Sequence, residues 1–188
     1  MNKTKKLIFD AAIKAFSRKG FHKSTMDEIA EIAGVAKGTL YYHFKSKEDI
    51  FKFIIDEEIK LIVDEIKNRT QYISNPREKL EAICKIQLVL VTDYFEFFKT
   101  MFSQMWGDEE RQNQLREALS KYFKIIGEYI KEAAEEGHID KERTELIPYN
   151  FFGMMASIIV YSLLHSDNDI DTVIHSFVDF AMNGMIQR

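Results

Sequence analysis

Residues 24–48 read STMDEIAEIAGVAKGTLYYHFKSKE, and this stretch decides the fold. Ser24-Thr25-Met26-Asp27-Glu28 contains a capping box: the Thr25 hydroxyl can accept from the Glu28 amide while the Glu28 carboxylate reaches back to the Thr25 amide. A short helix follows to Ala33, and Gly34 stands where a left-handed residue after the helix end is wanted. A further helix is expected over residues 36–43. Counting Met26 as position one, Ala30 falls at position five, Gly34 at nine and Leu40 at fifteen. That is the layout of a helix-turn-helix: a small residue where the second helix crosses, a sharp turn, then an apolar plug. Leu40, with Ile29, Val35 and Phe44, is expected to seat the pair on a preceding helix.

Leu40 and Phe44 are four apart and face inward, so Lys37, Gly38, Thr39, Tyr41, Tyr42 and His43 are left largely outside. Two adjacent exposed tyrosines suit a groove surface, where a phenol offers a flat face to sugar and an O–H to phosphate. Gly38 costs the helix about 1 kcal/mol relative to alanine, which a close approach of backbone to DNA would offset. Ser46 with Asp49 forms a second capping box, and Lys45 and Lys47 flank the start of the helix it opens. Its free amides and positive dipole end can hold a phosphate.

Outward from this motif the chain reads as all-α, with about nine helices. Residues 4–19 place Leu7, Ile8, Ala11, Ala12, Ala15 and Phe16 on one face, ahead of Gly20. A long helix is expected over 47–69, and another opens at Asn75-Pro76, where proline fits the first turn. The apolar run 82–106 is too long for one helix and is expected to divide near Thr92 or Asp93. Gly107-Asp108 leads into a helix to about Glu136, closed by Gly137. Helices over 142–165 and 169–186 complete the set.

The chain carries 46% hydrophobic residues, with eight glycines and two prolines in 188 positions, which excludes a strand-and-turn protein and a disordered chain. Cys84 is the single cysteine, so no internal disulfide and no cysteine-cluster zinc site is available. The five histidines show no HExxH spacing, and there is no GxGxxG or Walker-type loop. An enzyme is therefore excluded, with no catalytic residue, metal or cofactor assigned. Net charge is −4 overall, yet residues 1–52 are net basic and the remainder net acidic, so a polyanion partner is expected for the head alone. Residues 146–188 hold only five formal charges, Asp167, Asp169, Asp171, Asp179 and Arg188. Terminal helices this poor in charge need a partner surface. The uncharged stretch 146–166 has spanning length, but Pro148, Tyr149, Asn150, Ser157, Ser162 and His165 make it a poor lipid-facing span, so no membrane is expected. The first residues lack a sustained apolar run and give no secretory signal, so a cytoplasmic protein is expected.

Residues 24–48, within a match running over about residues 4–53, closely resemble the DNA-binding signature of the tetracycline-repressor (TetR) family. The resemblance implies a homodimeric transcriptional repressor that binds a palindromic operator in double-stranded DNA and is released by a small molecule. It assigns Thr25, Tyr42 and Lys47 to phosphate, and Lys37, Gly38, Tyr41 and His43 to the groove. One departure is Ala36: the pattern usually has serine or threonine there, so a cap and a phosphate contact are missing. The implied organisation is a helix-turn-helix domain over residues 1–46 and a helical effector-binding and dimerisation domain over 47–188.

In the second domain, Tyr94, Phe98, Met101, Phe102, Met105 and Trp106 form an aromatic and methionine run. Tyr122, Phe151, Met154 and Met155 are candidates to face it. Such adaptable side chains suit a bulky, mainly apolar effector, and the scarcity of basic groups disfavours a strongly anionic ligand buried among them. Trp106 is expected in the core or a pocket wall. By resemblance, the last two helices pair with their symmetry mates. Gly153, Ala156 and Ser157 permit close approach, and Val160, Val173, Phe177, Phe180 and Ala181 supply apolar surface. The competing reading is a DNA-binding regulator or accessory protein without a small-molecule effector.

Overall fold

The computed structural model describes residues 2–106, 110–165 and 169–184. Nine α-helices and one short 3₁₀ turn account for the regular structure of these residues. They fall into two compact units, Met1–Glu58 with Glu96–Ala118, and Ile59–Phe95 with Leu119–Arg188.

The first unit opens with α1 (Lys3–Lys19), capped by Asn2, whose side chain accepts from the Lys5 amide at 2.8 Å. Its stripe of Ile8, Ala11, Ala12, Ala15 and Phe16 is buried. The buried Ser24 hydroxyl lies 3.0 Å from the Ala15 carbonyl oxygen and 2.8 Å from that of Gly20, tying the following turn to α1. Helix α2 (Met26–Ala33) begins at Thr25, whose hydroxyl oxygen accepts from the Glu28 amide at 3.2 Å. The reciprocal half of the expected box is not made: the Glu28 carboxylate pairs instead with Lys19 at 2.8 Å, an ammonium being the better partner for a carboxylate. Gly34 adopts φ 65°, the left-handed turn that leads into α3 (Lys37–His43). Leu40 is fully buried beneath it.

Helix α4 (Lys47–Thr70) starts on the expected Ser46–Asp49 pair, with the reciprocal bond to Asp49 coming from the amide before Ser46 rather than from Ser46 itself. The Ser46 hydroxyl oxygen accepts from the Asp49 amide at 3.1 Å, and Asp49 accepts from the Lys45 amide at 3.1 Å. The helix passes from the first unit into the second between Glu58 and Ile59. The packing boundary therefore lies inside α4, whereas the functional division expected from sequence lies at its start.

In the second unit α5 (Pro76–Asp93) is capped by Asn75, which accepts from the Arg77 and Glu78 amides. The run 82–106 divides at Tyr94, and α6 (Phe95–Ser103) follows, belonging to the first unit from Glu96 on. It stops three residues before Trp106, tightening into bonds from the Gln104 amide to Met101 and from the Met105 amide to Phe102. The expected break at Gly107-Asp108 lies outside the described residues. Helix α7 (Glu110–Glu135) ends before Gly137 at φ 82°.

Helix α8 (Ile147–Leu164) starts five residues later than expected, because Pro148 fits only the first turn; residues Lys141–Arg143 form the 3₁₀ turn instead. Helix α9 (Ile170–Asn183) is capped by Asp169, and its expected extension to Ile186 runs beyond the described residues, as do the charges of Asp167 and Arg188. Both α8 and α9 pack on α5. By length and composition α8 is, among the described residues, the one helix that could cross a membrane. Its Phe151, Phe152, Met155, Ile158 and Ile159 are nevertheless buried inside the protein.

Candidate functional site

The surface of α3 carries the side chains read as DNA contacts. Tyr42 is 85% exposed and Tyr41 50% exposed, while Lys37, Gly38 and Lys45 are exposed and Thr39 and His43 half-buried. The Tyr42 and His43 rings lie edge to face, 5.1 Å between centroids, which leaves the Tyr42 ring outward. Ala36 caps α3 without a side-chain hydrogen bond, as its missing hydroxyl requires. Exposed Thr25 uses only its oxygen in capping, so its hydroxyl proton can still be donated.

Two cations are already engaged. The Lys37 ammonium pairs with Asp27 at 2.6 Å; their hydrogen bond and attraction hold the ammonium above the ordinary lysine range. Lys47 departs further from its expected role. Its Nζ donates to the carbonyls of Phe21 (3.0 Å), His22 (3.0 Å) and Ser24 (3.2 Å), and lies 4.7 Å from the centroid of the Phe21 ring. An ammonium has three protons, and three carbonyls take them. Lys47 is thus a clamp between the start of α4 and the α1–α2 turn rather than a free phosphate ligand.

The ten residues read as an effector site are divided between the two units. Phe98, Met101, Phe102, Met105 and Trp106 belong to the first unit, and Tyr94, Tyr122, Phe151, Met154 and Met155 to the second. Phe98 and Met101 are core, and Phe102 and Met105 are half-buried. Trp106 is 82% exposed, correcting its expected place in the core or a pocket wall. The reason is local: α6 ends at Ser103, so helical periodicity no longer aims residue 106 inward.

Two grooves mark the second unit. One, about 650 Å³, has Tyr94, Leu61, Val89 and Leu90 on its walls and Glu65, Arg69, Lys85 and Asp93 among its lining. The other, about 630 Å³, is lined by Phe151, Met154, Leu80, Ile130, Tyr149 and Phe180, with Arg77 and His138. Gly153, Ser157 and Ala181, read as pairing positions, also line this second groove. Val173 is buried in the chain's own core, which corrects its assignment to an interface, whereas Val160 is 56% exposed and Ala156 and Phe177 are half-buried. Tyr122 and Met155 are buried, and Tyr122 donates to Gln87 Oε1 at 3.0 Å. Gln87 was not among the candidates. Its signal is a lone amide on an apolar stripe of α5 that contains Leu80, Cys84 and Val91.

Residues 8–54 match the bacterial regulatory proteins of the tetR family, and residues 74–185 match the tetracyclin repressor-like C-terminal domain. The chain is 29% identical over 133 residues to the fatty acid metabolism regulator protein of Bacillus subtilis (strain 168), covering 70% of this chain and 69% of that one. Among solved structures it resembles a Clostridium perfringens protein assigned as a fatty acid metabolism regulator, at 36% identity and TM-score 0.90, over 97% of this chain and 100% of that one. It also shares its fold with the transcriptional regulator FadR from Bacillus subtilis in complex with stearoyl-CoA, at 23% identity and TM-score 0.85, over 96% of this chain and 99% of that one. A helix-turn-helix head and a helical body are the parts of a DNA-binding transcriptional regulator, and the matching proteins are regulators of a family that is not enzymatic. The chain belongs to the TetR family.

Proposed function

We propose that the chain is a homodimeric repressor of a palindromic operator, in which residues 1–46 bind DNA and residues 47–188 dimerise and bind a long-chain acyl-CoA. The single observation that carries the DNA half is α3: seven residues held by fully buried Leu40 with Tyr41 and Tyr42 outward. Paired modules then reach successive major grooves about 34–36 Å apart. The effector class rests on two similar proteins being fatty acid metabolism regulators and on stearoyl-CoA bound to a protein of the same fold. An acyl chain fits the apolar grooves of the second unit. The anionic nucleotide end suits the solvent side of the second groove, where Arg77 and His138 stand; in the first, Glu65 and Asp93 offset Arg69 and Lys85. This refines the expectation of a mainly apolar effector, because the buried part of the ligand remains apolar. The protein is proposed to act in the cytoplasm.

Duplexes selected from a random library supply an operator, and stearoyl-CoA is then titrated into the complex. A hundredfold loss of DNA affinity corresponds to about 2.7 kcal/mol of coupling, and DNA must weaken stearoyl-CoA by the same factor. Binding of stearoyl-CoA with no change in operator affinity would remove the switch. No binding at all would leave the effector-free regulator.

A further inference from the structure

The interior of the second unit holds an amide that its neighbours do not satisfy. Gln87, midway along α5, is 1% exposed; its Oε1 accepts from the Tyr122 hydroxyl, while its Nε2 has no partner among the described residues. Exchanging the two ends of the amide does not help. The tyrosine oxygen could then take one N–H, but the second N–H and the phenolic proton would lack acceptors. Native interiors keep few such groups, because a buried donor without an acceptor has given up its water for nothing.

The surroundings are apolar and uncharged. Tyr122 is fully buried, its phenol held above its ordinary range by burial, and Phe152 packs 6.0 Å from its ring. Cys84, one turn before Gln87, has a thiol pushed up to about 12 by burial. Such surroundings suit an acceptor that carries no full charge, which a buried water or a neutral ligand oxygen can supply. Arg77, Leu80, Cys84 and Gln87 follow at helical spacing along one stripe of α5, and the first two line the groove of about 630 Å³. Gln87 lies seven residues beyond Leu80, about 10 Å of helix rise.

We infer that Gln87, oriented by Tyr122, is the recognition point for one carbonyl oxygen of the effector, the thioester carbonyl of an acyl-CoA. This rests on the acyl-effector reading above and adds the residue that distinguishes an acyl thioester from a merely apolar chain. The Gln87 Nε2–H donates to the carbonyl oxygen, and no bond is made or broken.

The test uses the full chain and two probes, stearoyl-CoA and its thioether analogue with CH₂ in place of the carbonyl. Calorimetry on the unaltered protein is expected to give at least tenfold tighter binding of the thioester. Gln87→Leu is expected to bind the two alike. In the unaltered protein the infrared carbonyl stretch of ¹³C-labelled stearoyl-CoA is expected to move to lower frequency on binding, and in Gln87→Leu to lose that shift. Equal binding of both probes by the unaltered protein would overturn the inference while leaving the acyl reading intact. Binding of neither probe would overturn both. A preference or carbonyl shift retained in Gln87→Leu would also overturn the inference. If Gln87→Leu does not fold, the probe comparison and carbonyl shift of the unaltered protein decide alone.

Discussion

The Lys47 ammonium donates to the Phe21 carbonyl 3.0 Å away and lies 4.7 Å from the centroid of the same residue's ring. One cation thus closes the α1–α2 turn from the far side of the recognition motif. Lys47→Met is expected to destabilise the chain by about 2 kcal/mol, the scale of hydrogen bonds to a charged donor. Operator binding should then fall with the population of folded heads. Lys45→Ala, at an exposed position, should leave the melting temperature in place and reduce the salt slope of operator binding by about one. Thermal melts and salt titrations of both variants separate the clamp from the phosphate ligand. A Lys47→Met protein as stable as the unaltered chain would refute the clamp.

On the proposed contact of Lys37 with DNA, Asp27 competes for the ammonium, since their 2.6 Å pair must open before it can reach a base or phosphate. Asp27→Asn is expected to raise operator affinity about three- to tenfold at low salt, with the gain shrinking as salt screens the exposed pair. Lys37→Ala should relax sequence preference rather than weaken all sequences equally. Fluorescence anisotropy at several salt concentrations, on selected and scrambled duplexes, checks both. Unchanged affinity in Asp27→Asn at low salt would refute the competition between Asp27 and DNA.

The exposed residues of α8 supply the test of pairing. Val160 is 56%, Leu163 58% and Leu164 73% exposed, an apolar surface with no charge to keep it in water. Val160→Glu is expected to give monomers that keep their helical content and lose operator binding. Sedimentation at micromolar concentration reads the outcome, and a dimer of undiminished affinity would move the interface elsewhere.

Glu58 is 4% exposed on α4, and its Oε2 has no partner among the described residues. Burial pushes its carboxyl up to about 7, with Asp10 and Glu57 adding to the effect and Lys6 opposing it. Because the folded pKa is raised, the folded state holds a proton that the unfolded chain releases near its ordinary value. Stability therefore falls as pH rises from about 4.5 to 7. Glu58→Gln is expected to stabilise the protein by about 2 to 3 kcal/mol at pH 8 and to have little effect at pH 4.5. Chemical denaturation at the two pH values reads the difference. The same increment at both would show that ionisation is not involved.

Much of the fold was legible in the sequence because helix ends are local chemistry. Thr25, Gly34, the Ser46–Asp49 pair and Asn75-Pro76 each act within a few residues, and each stands where its type predicts. Local chemistry also located the outward tyrosines, since Leu40 and Phe44 fix which face of α3 turns in. Prediction strayed where a local rule met a competing partner or stop: Glu28 turned to Lys19, and α6 ended before Trp106 could be carried inward.

What the sequence by itself determined, then, was an all-helical chain with a DNA-reading head, because caps, turns and periodicity need no distant partner. Only the tertiary structure decided what each polar group bonds to. Lys47 meets carbonyls 23 to 26 residues away, and Gln87 meets Tyr122 across 35 residues. It also decided which apolar residues are core and which are surface. On α8 nearly every side chain is apolar, so no polar face marks the outside, and sequence alone could not separate buried Ile158 from exposed Val160. That separation is made by packing against α5 and α9, which periodicity within one helix does not contain.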